Sequence, residues 1–338
     1  MGHLDLNIEE VAILTRELSL GAIKAIIVGK NPANAKYGKR TLGQLEALQN
    51  ILGDEAVDKL LLGRCAFVLE EVVRPLFDKN GRFIPFPGLK AAVCDPNPKY
   101  HFNQSESSNI EILERDRRHL AVGLGVETAS IALPSATEFE DRVLAIKAKL
   151  DGDECTKKET KGNWFPWVLP RLEGDYGELL DKLVSAVASA YKEAYPNRSF
   201  TNYRKNELAG QTKVVPGTRH EQIVEAVAKR PVVGITLLPF GGYSINACRE
   251  TFVNYEPFKQ IPDWLILGGG FDLAAIYIAF AKELMRDEKT PIVRCPALSW
   301  QSSYSLHWSA RGGYAYFDRT DRLSSSGDDY CAPVSCLG

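Results

Sequence analysis

From residue 291 to residue 338 the chain contains neither lysine nor glutamate, although residues 1–290 contain 21 Lys and 25 Glu. At the earlier rate about seven or eight would fall in a tail of this length, given an ordinary globular composition. The segment 299–330 is dominated instead by Ser, Tyr, Gly, Asp and Arg, with Trp300 and Trp308 added. Such a mixture suits short strands joined by turns, here at Arg311-Gly312-Gly313 and Ser326-Gly327-Asp328. Gly313, Tyr314, Ala315 and Tyr316 then show the alternation of a strand. Two readings fit. In one, a small antiparallel sheet buries its aromatics and exposes its serines. In the other, the tail is a binding face. Tyr and Trp offer large contact area with few torsions to freeze, while Ser, Gly and Asp adapt their hydrogen bonding. Arg, Trp and Tyr dominate binding hot spots, and Lys and Glu are depleted at interface centres.

The remainder of the chain is ordinary in bulk. Its 338 residues are 45% apolar and 25% charged, with a formal net charge of −2. That is enough for a sizeable core and for two or three domains. The near-neutral balance supplies no overall field to gather nucleic acid or anionic lipid. No apolar run reaches the roughly 18–20 residues of a membrane-spanning helix. The opening MGHLDLNIEE lacks the basic, apolar and cleavage regions of a secretory signal. Seven scattered cysteines are an odd number and a sparse one for a disulfide framework. The expectation is a soluble, cytoplasmic protein with reduced thiols.

Along the chain, the first sixty residues read as helical, with start signals at Asn7/Glu10 and Thr41/Gln44 and a break at Gly53. Cys65 to Val72 reads as a strand. Residues 85–108 are irregular, and His119 to Val126 reads as a strand. Ser135 and Glu138 cap a helix with the face Phe139, Val143, Ile146 and Leu150. Residues 151–163 are the best internal linker. Helices follow over 175–191 and 218–229, then a buried strand from Val232 to Leu238. A last helix spans 272–286, after Gly268-Gly269-Gly270.

The local chemistry is sparse. The triple glycine precedes a helix whose N-terminus could hold an anion. It lacks the Lys-Ser/Thr of a phosphate loop, and a tight turn explains it. Gly123-Leu124-Gly125 is an incomplete dinucleotide fingerprint. Cys248 with His220 is a conceivable nucleophile–base pair, and Asp95, Asp116 and Glu127 a conceivable carboxylate site. No local signature supports either. Arg115, Arg117, Arg118 and His119 are interleaved with acids and read as a solvated charged face. No metal or cofactor is required.

At Val293-Arg294-Cys295, Leu298-Ser299-Trp300, Leu306-His307-Trp308 and Ala332-Pro333-Val334-Ser335 the chain resembles the variable proteins of diversity-generating retroelements. The lead-in Gly234-Ile235-Thr236-Leu237-Leu238 is similar to theirs, and Leu52-Gly53 through Leu62-Gly63 resembles a helical element of related uncharacterised proteins. Such proteins end in a C-type-lectin-like domain. An error-prone reverse transcriptase rewrites their last segment at adenines, and the mutable codons cannot encode Lys or Glu. The segment 272–286 and the flanking Cys331 and Cys336 depart from the pattern.

The resemblance implies an α+β protein: a helical region over 1–95 with a short strand, a middle α+β region over 96–213, and a C-type-lectin-like domain over 214–338 with short antiparallel strands and a variable tail at 299–330. Trp300, Leu306 and Trp308 would be its floor. Ser299, Ser302, Ser303, Tyr304, His307, Ser309, Tyr314, Tyr316, Asp318 and Arg319 would be displayed to a protein or other macromolecular ligand, with no nucleic acid, no membrane and no catalysis. The alternatives are an enzyme of unidentified class and a structural, virion-type interaction protein.

Overall fold

The computed structural model describes residues 76–338 except 87, 104–106, 154, 157–163 and 254–260. The expected helices of the first sixty residues and the strand at 65–72 lie outside the described residues. Residues 73–338 form one unit, mixed helix and sheet.

Helix α1 (Asn109–Leu124) is where a strand was expected over 119–126. Its start is a complete capping box. The Ser108 side chain accepts from Glu111 N, and the Glu111 carboxylate accepts from Ser108 N. The buried face runs Ile112, Leu113, Asp116, His119, Leu120 and Ala121, so a carboxyl and an imidazole interrupt the apolar stripe that would have marked a helix. Helix α2 (Ala136–Gly152) starts at the expected Ser135 cap and buries the four expected residues Phe139, Val143, Ile146 and Leu150.

Strand β1 (Trp164–Leu169) pairs antiparallel with the fully buried β4 (Val232–Leu237) over six residues. Pro166, which has no N–H for a ladder, is tolerated because β1 is an edge strand. The C-terminal strand β11 (Val334–Leu337) lies between β4 and β5 (Ile266–Leu267), completing a sheet in the order β1-β4-β11-β5.

Helix α3 (Tyr176–Ala194) follows the Asp175 cap and buries Leu179, Leu180, Leu183, Val184 and Val187. Strands β2 (Ser199–Asn202) and β3 (Thr212–Val214) lead to α4 (Glu221–Lys229). After β4 come α5 (Ile245–Val253), then β5 and α6 (Phe271–Ala279). All nine residues of α6 are buried, eight of them aliphatic or aromatic and the ninth Asp272. The single helix expected over 272–286 breaks at Phe280, beyond which only α7 (Ala281–Leu284) is helical. The Ala279 carbonyl beside the break accepts from the Arg115 guanidinium.

The second sheet is built from β6 (Ile292–Arg294), β8 (Ser305–Arg311), β9 (Tyr314–Thr320) and β10 (Tyr330–Cys331), with β2 at one edge, in the order β10-β6-β8-β9-β2. Strands β3 and β7 (Leu298–Trp300) form a third, two-stranded sheet. These pairings correct the expected domain boundaries. The 213/214 boundary separates β1 from β4 and β2 from β9, which are hydrogen-bonded pairs, and cuts through β3, which pairs with β7. The 95/96 boundary is crossed too, by the bridge Val93↔Tyr243 and by Phe83 N donating to Pro239 O. The linker expected over 151–163 begins inside α2, and residues 157–163 lie outside the described residues.

Candidate binding face

The geometry of the tail follows from one hairpin. Arg311 faces Tyr314 across a two-residue turn, in which Gly312 and Gly313 have φ of +58° and +83°. Two left-handed residues in succession match the natural twist of the flanking strands, and glycine takes them without penalty. The register then sorts the side chains. Leu306, Trp308, Ala310, Ala315 and Phe317 are buried. His307, Ser309 and Arg311 alternate with them on β8, as Tyr314, Tyr316 and Asp318 do on β9, and share the other side. Trp300, Leu306 and Trp308 are buried, the positions expected of a floor.

Nine of the ten expected display residues are exposed or partly exposed: Ser299, Ser302, Ser303, Tyr304, His307, Tyr314, Tyr316, Asp318 and Arg319. Ser309 is the correction, for it is buried. It pairs in register with Tyr316, and its small side chain is shielded by larger neighbours. Seven of the nine also fall into two groups, while Ser299 lies in β7 and Arg319 in β9 opposite Leu306. His307, Tyr314, Tyr316 and Asp318 lie on the sheet itself. Ser302, Ser303 and Tyr304 sit at a tight turn between β7 and β8, where Gln301 and Ser302 take left-handed φ of +47° and +63°. Trp300 and Tyr304 close this turn by exchanging backbone hydrogen bonds of 2.9 and 3.1 Å.

Contacts on the face are dominated by rings and guanidinium groups. Tyr314 stacks on Tyr316 at 5.6 Å, and Tyr203 and His307 present edges to Tyr316 at 5.9 and 5.6 Å. Asp318 is bound by Arg204 Nε at 3.0 Å. Arg319 lies over Tyr304 at 4.4 Å and over Trp300 at 5.5 Å. Such cation–π contacts hold a long side chain in place without neutralising its charge.

Several residues of this face fall outside the expected set. Tyr203 follows β2, a strand laid parallel to β9 from more than a hundred residues upstream. Arg294, in β6, faces His307 across the ladder. Tyr330 and Arg322 line the same concavity as Arg294, His307 and Arg319. Parallel pairing leaves no local trace in sequence, so only the enrichment of the tail in Arg and Tyr pointed this way.

Burial sets the protonation of the imidazole. It pushes His307 down to about 4, against the opposing charge of Asp318. His119 and His220 are lowered for the same first cause. A histidine neutral in the fold takes up protons more readily when unfolded. Its contribution is therefore complete above the unfolded value near 6.5 and is lost as pH falls through the window down to about 4. Asp116, fully buried and pushed up by desolvation, works in the opposite sense. Comparison with a variant isolates the imidazole. Between pH 7 and pH 4.5 the wild-type chain should lose on the order of 1–2 kcal/mol more stability than His307→Gln, measured by urea unfolding at each pH. Parallel curves for the two proteins would show that the imidazole is not held neutral.

The other sequence candidates are placed as follows. The amides of Gly269 and Gly270 donate to Asp272 Oδ1 at 3.0 and 2.9 Å, so the chain's own carboxyl occupies the triple-glycine turn. Gly123-Leu124-Gly125 is the end of α1, not a strand-to-helix turn. His220 Nε2 is hydrogen-bonded to Tyr176 Oη at 3.0 Å, whereas Cys248 is buried and its thiol is pushed up by that burial. Asp95 is paired with Arg82, and Asp116 is buried on α1. Arg118 is paired with Glu193 of α3 at 2.9 Å. Among the described residues no group of three or more His, Cys, Asp or Glu is placed to hold a metal ion, and no helix is long and apolar enough to cross a membrane.

In comparisons with known proteins, no family profile, no characterised protein and no solved structure matches the chain.

Proposed function

We propose that the chain is a binding protein whose C-terminal hairpin presents a diversified surface to a protein ligand, in the manner of the retroelement variable proteins and their C-type-lectin-like domains. The observation that carries this reading is the division of labour along two paired strands. One side of the hairpin holds Leu306, Trp308, Ala310, Ala315 and Phe317, all buried, and the other holds His307, Tyr314, Tyr316 and Asp318, all partly exposed or exposed. A surface that changes from version to version must not carry the stability of the domain, which rests on a margin of roughly 5–15 kcal/mol. Affinity would come from the tyrosines and specificity from Ser302, Ser303, Asp318 and the arginines.

The experiment randomises Ser299, Ser302, Ser303, Tyr304, His307, Tyr314, Tyr316, Asp318 and Arg319 in the full chain and counts folded members by protease resistance on a display platform. Most members should stay folded. A parallel library at Leu306, Trp308, Ala310, Ala315 and Phe317 should yield few. Equal losses in the two libraries would remove the proposal. The retroelement origin has its own test. Close relatives of the gene should differ chiefly at adenine-templated codons between residues 299 and 330, beside a near-identical repeat and a reverse-transcriptase gene. Variation spread evenly over the chain, with neither neighbour, would overturn it.

A further inference from the structure

At one end of the face, Arg294, His307, Arg319, Thr320, Asp321, Arg322, Ile292 and Tyr330 line a concavity of about 220 Å³. Arg294 is 2% exposed. Its guanidinium lies over the Tyr330 ring at 3.5 Å, and Nη1 donates to the carbonyls of Ser325 at 2.7 Å and Arg322 at 3.3 Å. The group is thus held in one orientation. No carboxylate of the described residues forms an ion pair with Arg294, Arg319 or Arg322. The nearby Asp318 is taken by Arg204, and Asp329 by Arg311. Asp321 is the one carboxylate on the wall, against three arginines. Burying a guanidinium costs several kcal/mol unless a counter-charge is supplied, and burial draws the Arg294 proton affinity down accordingly. The arrangement is a rigid cationic pocket short of an anion.

We propose that this pocket receives a carboxylate presented by the protein ligand, a Glu or Asp side chain or a chain terminus. The inference rests on the binding-face reading and deepens it, because His307 and Arg319 belong to both. A planar guanidinium fork matches a carboxylate through two parallel hydrogen bonds, and Arg322 is the arm on the wall best placed to close on it, the Arg319 guanidinium lying alongside over Tyr304. The His307 ring, held neutral by its burial, adds a polar wall without a competing charge.

The test uses the full chain, with sodium glutarate as the carboxylate probe and sodium phosphate and sodium chloride as comparisons at matched ionic strength. Side-chain NMR signals of the arginines and of His307 report occupancy. Glutarate should shift them saturably, with a dissociation constant near the millimolar range expected of so small a ligand. Arg319→Gln with Arg322→Gln should weaken binding at least tenfold, while Arg118→Gln, on α1 and outside the pocket, should leave it within twofold. Shifts matched by chloride, or unchanged in the double variant, would overturn the site. Tighter binding of phosphate than of glutarate would overturn the carboxylate assignment. None of these outcomes alters the tolerance of the randomised face, so failure of the pocket and failure of the binding surface are separable.

Discussion

Trp308→Ala is expected to destabilise the described unit by about 3–5 kcal/mol, the cost of emptying a large aromatic site in a packed core. The ring is 1% exposed. It stacks on Tyr277 of α6 at 4.8 Å and meets Phe317 of β9 at 4.5 Å and Phe200 of β2 at 6.3 Å. It therefore joins the buried helix to three strands of the second sheet. For a unit of this size each kcal/mol moves the melting temperature by about 2–4 °C, so a fall on the order of 10 °C is expected in calorimetry. The double change Tyr304→Ala with Tyr316→Ala should lower it by only a few degrees. Both rings are partly exposed, so each aromatic pair stands at the low end of the range, about 0.5 kcal/mol. If the double variant fell as far as Trp308→Ala, the tyrosines would be core and the display reading would be lost.

Asp272→Ala is expected to cost a similar amount, about 3–5 kcal/mol, by a different mechanism. The carboxyl is fully buried and gathers three donors. Gly269 N and Gly270 N reach Oδ1, and Ser335 Oγ reaches Oδ2 at 2.7 Å. Ser335 Oγ lies in turn 2.7 Å from Thr236 Oγ1. One side chain thus ties the start of α6 to β11 and β4, in the middle of the first sheet. The packing there admits no bulk, since a Cβ on Gly268 would lie 2.1 Å from Asp272 Oδ2. Alanine leaves two buried amides without their acceptor. Asp272→Asn keeps an oxygen for the glycine amides and turns an amide group toward Ser335, whose hydroxyl can accept from it while donating to Thr236. Asparagine should therefore recover more than half of the loss. Urea midpoints with unchanged slope would measure both variants, and hydrogen exchange at Gly269 and Gly270 should quicken only in the alanine variant. A loss below about 1 kcal/mol for alanine would show that the network is dispensable.

The buried strand at 232–237, the capped helix α2 and the apolar face of α3 were legible in sequence, because each depends on a periodicity or a cap confined to one segment. The hairpin turn at Arg311-Gly312-Gly313 was legible for the same reason. Helix α1 was not, because Asp116 and His119 occupy its buried face and break the stripe. On the hairpin the expected floor residues Leu306 and Trp308 are buried, and so is one expected display residue, Ser309. Ser309 follows the alternation but is too small to reach past its neighbours.

What the sequence determined by itself was therefore local: the caps, the strand runs, the turn glycines and the absence of Lys and Glu from the tail. What only the tertiary structure decided was the company each element keeps. The expected domain boundary dissolved because β2 and β3 come from the middle of the chain to pair with β9 and β7. Arg294, Arg319, Arg322 and Tyr330 became one pocket because the ladder brings β6, β9 and β10 into one sheet. Backbone hydrogen bonding is indifferent to side-chain identity, so strand partners far apart in the chain leave no signature in either strand. Local energies write themselves into adjacent residues, whereas a charged cavity exists only after distant segments have met.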